Sequence, residues 1–132
     1  MRGARRGSII IRVERRFVIQ LHTIAGGRHY DLMLEAGAAL ATWRLERLPE
    51  ALGDGESLPA EALPDHRPAY LTYEGPISSG RGTVQIADAG AFRSIDRDEN
   101  RWSFELQGRL VRGRFSLRRL EGDRWLLSAG PS

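Results

Sequence analysis

Hydrophobic and polar residues alternate along most of the chain. In "RRFVIQLH" (15–22), Phe17, Ile19 and Leu21 share one side of a strand, whereas Gln20 and His22 share the other side. The segment "RHYDLMLE" (28–35) alternates in the same way. Further strands are predicted at "SIIIRV" (8–13), "AALATWRLE" (38–46), "PAYLTYEG" (68–75), "GTVQIADAGAF" (82–92), "RWSFELQG" (101–108), "LVRGRFSLRRL" (110–120) and "DRWLLSAG" (123–130).

The segments between the strands are typical of turns and indicate the fold class. "GPISSGRG", "DRDEN" and "EGD" are rich in residues that favour tight turns. Residues 49–65, "PEALGDGESLPAEALPD", predict an acidic surface loop with one short helical turn, because prolines and acids are scattered through them. We predict a mainly β fold, a small antiparallel β-barrel with short helical turns and loops. The length of 132 residues is enough for one core, so residues 1–132 are predicted to form a single domain.

The composition excludes several classes of protein. The chain has no cysteine, so disulfides, cysteine zinc sites and cysteine nucleophiles are excluded. No apolar run approaches the ~20 residues that span a bilayer. The N-terminal basic segment, residues 1–11, contains an apolar stretch of only three isoleucines, shorter than the ~7–15 residues of a signal peptide core. We therefore expect a cytoplasmic protein without a membrane partner.

The charge distribution favours contact with phosphate. The net charge is +3, and all 20 basic residues are arginines. Six arginines lie in residues 1–16 and seven in residues 101–124, whereas acids cluster in residues 46–65. Arginine presents a planar fork of donors that suits phosphate, although the codon bias of a GC-rich genome explains the same usage. Both explanations stay open at this stage.

A candidate metal site lies in "HTIAGGRHYDLMLE" (22–35). A hairpin loop at "TIAGGR" (23–28) would place His22 opposite His29, and Asp31 shares the face of His29. Gly26 and Gly27 would supply the unusual backbone angles of the loop. Two imidazoles and a carboxylate are competent ligands for a divalent metal. The pattern alone leaves two interpretations open, a metal site and an ordinary hairpin.

Several of these segments resemble one known family. "FVIQLH" followed by "HYDLMLE", then Trp43, "DHRPAYLTYEG" and the closing "FELQGRLVRGRFSLRRLEGDRWLL", is similar to the 3′-phosphoesterase domain associated with bacterial DNA ligase D. The resemblance covers about residues 16–128 and suggests a stand-alone, divergent member. It implies a compact β-barrel that uses manganese, or zinc or another divalent ion, to trim nucleic-acid 3′ ends. It implies His22, His29 and Asp31 as metal ligands, and His66, Tyr70 and Arg47 as catalytic residues.

The chain also departs from that family's pattern. The family carries a phosphate-binding arginine where this chain has Met33, and the alternation places Met33 on the face of the ligands. Methionine offers neither charge nor donor. Arg28, Arg44 and Arg81 are candidates to bind phosphate or nucleic acid in its place, although an ordinary solvent-exposed arginine is the simpler explanation for each.

Three functions follow from the resemblance and its departures. The first is a metal-dependent phosphoesterase that removes 3′-phosphates or 3′-ribonucleosides from DNA or RNA ends in DNA repair. The second is a weak or inactive relative that binds nucleic acid or a ligase or polymerase partner, and Met33 is its main support. The third is a phosphoesterase for a small nucleotide.

Overall fold

The computed structural model of the chain describes residues 15–130, which form nine strands and two short 3-10 helices. The helices are Pro49–Ala51 and Pro68–Leu71. The strands are β1 (Arg15–Ile24), β2 (Gly27–Ala36), β3 (Ala39–Leu45), β4 (Ser57–His66), β5 (Gly75–Pro76), β6 (Thr83–Asp98), β7 (Arg101–Gly108), β8 (Arg112–Glu121) and β9 (Arg124–Ala129). The predicted strand "SIIIRV" and the basic segment 1–11 lie outside the described residues.

The strands close into a ring. Neighbours pair in the order β1, β2, β3, β4, β9, β8, β7, β6, and β6 returns to pair with β1. Every pairing is antiparallel, and the two-residue β5 adds to β6 outside this ring of eight strands. Because closure leaves no exposed edge within the ring, each strand satisfies its backbone groups on both sides. The prediction of a mainly β, small antiparallel barrel is confirmed. Within residues 15–130, no helix is long and apolar enough to cross a membrane.

The interior of the ring holds the main core. Alternate residues of each strand point inwards, as the period of two requires. Trp102 is central, and its ring meets Trp43 and Phe104 edge to face, with centroids 6.0 and 5.9 Å apart. Leu32 and Leu34 lie on this inner face, so Asp31 and Met33, which alternate with them, point to the outer wall of the ring.

A second, smaller apolar cluster covers part of the outer wall. Val18, Met33 and Leu40 come from three adjacent strands, and Leu71 of the second 3-10 helix packs onto them. The helix begins at Pro68, whose ring fixes φ, and Tyr70 N–H donates to Arg67 O at 3.0 Å. The predicted strand at "PAYLTYEG" is therefore wrong for residues 68–74, because the helix packs across the wall and only Gly75 enters a strand, the short β5.

The predicted acidic loop at residues 49–65 is only partly correct. Pro49–Ala51 forms the expected short helical turn, but Ser57–His66 is strand β4, between β3 and β9. Leu58 and Ala60 point into the core, and Glu61 points out. The strand was missed because one large and one small apolar side chain give a weak alternation, and Pro59 stands between them.

Candidate metal centre

The β1–β2 hairpin aligns the predicted ligands. Its strands run up to Ile24 and from Gly27, so the connecting turn is shorter than the predicted loop 23–28. Gly26 has a φ of 87°, which explains a glycine there, whereas Gly27 is the first residue of β2. The register pairs His22 with His29, as predicted from the sequence.

His22, His29 and Asp31 converge on one point of the outer wall. His22 Nδ1 lies 3.0 Å from His29 Nε2, and the Asp31 oxygens lie 3.8 Å from His22 Nδ1 and 3.5 Å from His29 Nε2. One ligand atom from each of the three residues lies within 4.8 Å of the other two. Two imidazole nitrogens and a carboxylate in this arrangement form a donor set suited to zinc, manganese or iron.

The backbone fixes the orientation of the His22 ring. His22 Nε2–H donates to the carbonyl oxygen of Arg81 at 2.7 Å, because a carbonyl can only accept. In the neutral ring the Nδ1 lone pair therefore faces His29 and Asp31. A second hydrogen bond of this kind usually orients a metal-binding histidine. Gly82 makes this contact possible, since a Cβ there would lie 2.1 Å from the Thr23 carbonyl oxygen.

The Asp31 carboxylate is buried without enough partners. Its side chain is 5% exposed, and Oδ1 has no hydrogen-bond donor. Arg44 Nε lies 3.6 Å away and is also buried without a hydrogen bond. An incompletely paired buried carboxylate is costly, and a divalent ion would compensate for this cost. The residues present therefore fit a metal.

The protonation state of His29 also favours metal binding. Burial lowers the pKa of the His29 imidazole, and Arg44 and His22 act in the same direction, against the raising effect of Asp31. The lowered pKa favours the neutral imidazole. Only the neutral ring has a lone pair for a metal, so fewer protons must be displaced when an ion binds.

A cleft of about 520 Å³, here called the His66 cleft, borders the centre. His66 ends β4, and its Nδ1–H donates to Pro64 O at 3.0 Å, so Nε2 carries the lone pair of the neutral ring. The ring meets Tyr70 edge to face, with centroids 5.4 Å apart. The cleft brings together six of the residues that the sequence analysis named, His22, Asp31, Arg44, His66, Tyr70 and Arg81.

Gln20 is a positioning residue that the sequence analysis did not select. It is buried, and its Nε2 donates to the carbonyl oxygens of Tyr70 and Tyr73 at 2.9 and 3.2 Å. These bonds tie the second 3-10 helix to β1 beside His22. The available signal was its spacing, because Gln20 lies two residues before His22 on the same face.

The candidate arginines lie at different places around the centre. Arg28 and His29 line a second groove of about 490 Å³, here called the Trp125 groove, and Arg44 lines both depressions. The guanidinium of Arg81 is bonded to Ser78 O at 2.9 Å and to Ser78 Oγ at 3.2 Å, and shapes the wall of the His66 cleft. Arg47 is exposed beyond β3 and lines neither depression.

Met33 lies on the predicted face but not in the cleft. It is 1% exposed and packs in the outer apolar cluster with Leu71 and the partly buried Tyr70. The second 3-10 helix therefore covers this position with apolar atoms.

The fold and the centre together define a small β-barrel protein with a candidate two-histidine, one-aspartate metal centre on its outer wall. The model of the DNA ligase D 3′-phosphoesterase domain family matches residues 20–119. This match spans most of the chain and includes all three candidate ligands. The chain therefore belongs to the DNA ligase D 3′-phosphoesterase domain family.

Named relatives agree with this assignment. The chain is 37% identical over 119 residues to the multifunctional non-homologous end joining DNA repair protein LigD of Mycobacterium tuberculosis, and equally to the LigD of Mycobacterium bovis. The alignment covers 83% of this chain but only 15% of each relative. The chain thus corresponds to a small part of those multifunctional proteins.

Proposed function

We propose that this protein is a divalent-metal-dependent phosphoesterase that processes the 3′ ends of DNA or RNA in DNA repair. The observation that carries this proposal is the convergence of His22, His29 and Asp31 beside the His66 cleft. Family membership supports the same role. Its substrates would be 3′-phosphates and 3′-terminal ribonucleosides, and a ligase or polymerase that uses the resulting 3′-hydroxyl would be its partner.

The three ligands would hold a divalent ion, with Mn²⁺ as the first candidate. Such an ion supplies a Lewis acid that polarises a phosphate oxygen and lowers the pKa of bound water. Two features of the chain favour binding of this ion. The Arg81 carbonyl fixes the ring of His22, and the carboxylate of Asp31 is buried.

The residues of the His66 cleft would act on the phosphate itself. Arg44 and Arg81 line the cleft and would offset charge that develops on the phosphate oxygens. In its protonated form His66 would donate from Nε2 to the leaving oxygen, while Nδ1–H stays on the Pro64 carbonyl. Tyr70 supports the His66 ring at its edge. Arg47 has no part in this scheme, because it lies outside the cleft.

The experiment combines the protein with Mn²⁺ and two 5′-labelled primers, one with a 3′-phosphate and one with two terminal ribonucleotides. We expect both ends to be converted, and His66→Asn to slow conversion roughly 100-fold, the usual contribution of a general acid. Arg93→Ala is the control, since Arg93 pairs with Glu105 at 3.4 Å and lines neither depression. Unchanged termini under conditions in which a family relative is active would contradict the proposal.

A weak or inactive nucleic-acid-binding relative is the second candidate. Met33 favours it, because this buried side chain offers phosphate neither a charge nor a hydrogen-bond donor. This function predicts binding of Mn²⁺ and of primers without turnover. The same experiment therefore separates the two candidates when binding is measured beside conversion.

A further inference from the structure

The candidate centre borders two depressions. His22 and Asp31 line the His66 cleft, whereas His29 lines the Trp125 groove on the other side. Arg44 lines both. A phosphate held at the centre would therefore border both depressions, so that each of its two ester substituents has a depression of its own to enter.

The two depressions differ in charge. The His66 cleft presents Arg44, Arg67 and Arg81, and Asp65 is its single acid apart from Asp31. This cationic lining suits the phosphates of a polynucleotide.

In the Trp125 groove, acids offset the arginines. Strand pairing places Asp31, Arg44, Glu61 and Arg124 in one row across four strands, with alternating sign. Glu46 and Asp123 also line the groove. Carboxylates repel phosphate but accept hydrogen bonds from hydroxyl and amino groups. This groove therefore suits an uncharged polar ligand better than a phosphate chain.

The groove also offers apolar surface. Trp125 and Leu126 line it, and Leu120 at its side is 44% exposed, a high value for a leucine. Apolar side chains next to carboxylates match a nucleoside, which has a flat base and a ribose with hydroxyl groups. Covering the base would remove apolar area from water and so favour binding.

We propose that the Trp125 groove binds the terminal nucleoside of a 3′ end, while the His66 cleft binds the preceding phosphate backbone. This inference rests on the proposed phosphoesterase function. In the diester reaction, a water oxygen bonds to phosphorus, the bond from phosphorus to O5′ of the terminal nucleoside breaks, and O5′ takes up a proton. The nucleoside leaves through the groove, and the primer keeps a 3′-phosphate. A 3′-phosphate substrate has no nucleoside at that place and does not use the groove.

Leu120→Glu tests the groove because it replaces exposed apolar surface with charge and should not disturb the core. We expect the rate of ribonucleoside removal, as kcat/KM, to fall about tenfold, whereas 3′-phosphate removal stays within about twofold. Glu61→Gln should lower ribonucleoside removal in the same selective way, since it removes a charged acceptor. Leu110→Glu is the matched control, because Leu110 is 48% exposed and lines neither depression.

Equal losses on both substrates, or no loss with either groove variant, would overturn the inference. The affinity of each primer is also measured by fluorescence anisotropy without added metal. If the unsubstituted protein converts neither primer, the proposed function fails, and the groove is judged on this binding. The inference is then supported if Leu120→Glu weakens binding of the ribonucleoside-ended primer but not of the 3′-phosphate primer. It is rejected if the unsubstituted protein and Leu120→Glu bind the ribonucleoside-ended primer with equal affinity.

Discussion

Asp31 is the residue on which the proposed centre most depends. Its carboxylate is nearly buried, accepts no hydrogen bond at Oδ1 and lies within 3.8 Å of both histidines. A ligand that binds only the folded state stabilises it by about 2.7 kcal/mol at a concentration of 100 Kd. We expect Mn²⁺ at that concentration to stabilise the unsubstituted protein by this amount, measured by chemical unfolding, and Asp31→Asn to lose most of the effect.

The control for this prediction is His66→Ala, which removes a histidine of the same cleft that lies outside the three ligands. This variant should keep the stabilisation by Mn²⁺. A response to Mn²⁺ that survives in Asp31→Asn, or disappears in His66→Ala, would place the metal elsewhere.

Met33 gives a second prediction at the residue scale. The family carries a phosphate-binding arginine at this position, but the Met33 side chain is 1% exposed among Val18, Leu40 and Leu71. A guanidinium would be buried there without a partner. We expect Met33→Arg to lower the free energy of unfolding by at least about 3 kcal/mol, and Met33→Leu by under about 1.5 kcal/mol. Urea unfolding measures both, and an equally stable Met33→Arg protein would show that the outer cluster opens easily.

The sequence predicted the placement of side chains well where the alternation along one strand was sufficient. The strand alternation placed His29 and Asp31 on one face, and one hairpin aligned them with His22. The sequence alone could not show which residues surround Arg47 or that the second 3-10 helix packs over Met33. Both depend on how segments distant in the chain pack together. Arg47 follows β3, is exposed and does not line the cleft, whereas Leu71 reaches Met33 from a helix nearly forty residues later.

At the scale of elements, the second 3-10 helix joins the barrel to the site. Gln20 on β1 donates to two carbonyl oxygens of this region, so its amide holds Tyr70 beside His66. Gln20→Glu keeps the shape but points an acceptor at two acceptors in a buried position. We expect primer conversion to fall at least about tenfold while binding of Mn²⁺, followed by calorimetry, is retained.

Gln107→Glu is the control for the Gln20 variant, since Gln107 is exposed on β7 and lines neither depression. Full activity of Gln20→Glu would mean that the helix is held in place by Leu71 and the outer cluster alone. Loss of activity in both variants would point to a general effect of added negative charge.

Elements were predictable where large apolar residues alternate, and less so elsewhere. This pattern is clear in four strands, β1, β2, β3 and β7, and the central residues of each were predicted to be strand. β4 was hidden because Ala60 and Ala62 give little apolar signal and Pro59 and Pro64 suggest a loop. The strand forms because β3 and β9 supply partners on both sides, which is information held by distant segments.

At the scale of the whole molecule, ring closure brings the N-terminal hairpin and the segment around residue 81 together. β6 pairs with β1 from Arg15 to Thr23, and this pairing carries the preceding loop to His22, where the Arg81 carbonyl accepts its N–H. The antiparallel ring was predictable as a class from many short strands. The two pairings that close the ring, β1 with β6 and β4 with β9, were not predictable, because they join segments far apart in the sequence.

The overall charge gives a final prediction about nucleic-acid binding. The His66 cleft presents three arginines, and each phosphate contact with a single strand contributes about 0.7 to the slope of log affinity against log salt concentration. Arg67 is exposed at the cleft. We therefore expect Arg67→Ala to reduce this slope by about 0.7, measured by fluorescence anisotropy with a 3′-phosphate primer across a series of salt concentrations.

The control is Arg93→Ala, which removes the same charge from a surface outside both depressions and should leave the slope nearly unchanged. Equal reductions in the two variants would mean that binding follows the net charge and not the cleft.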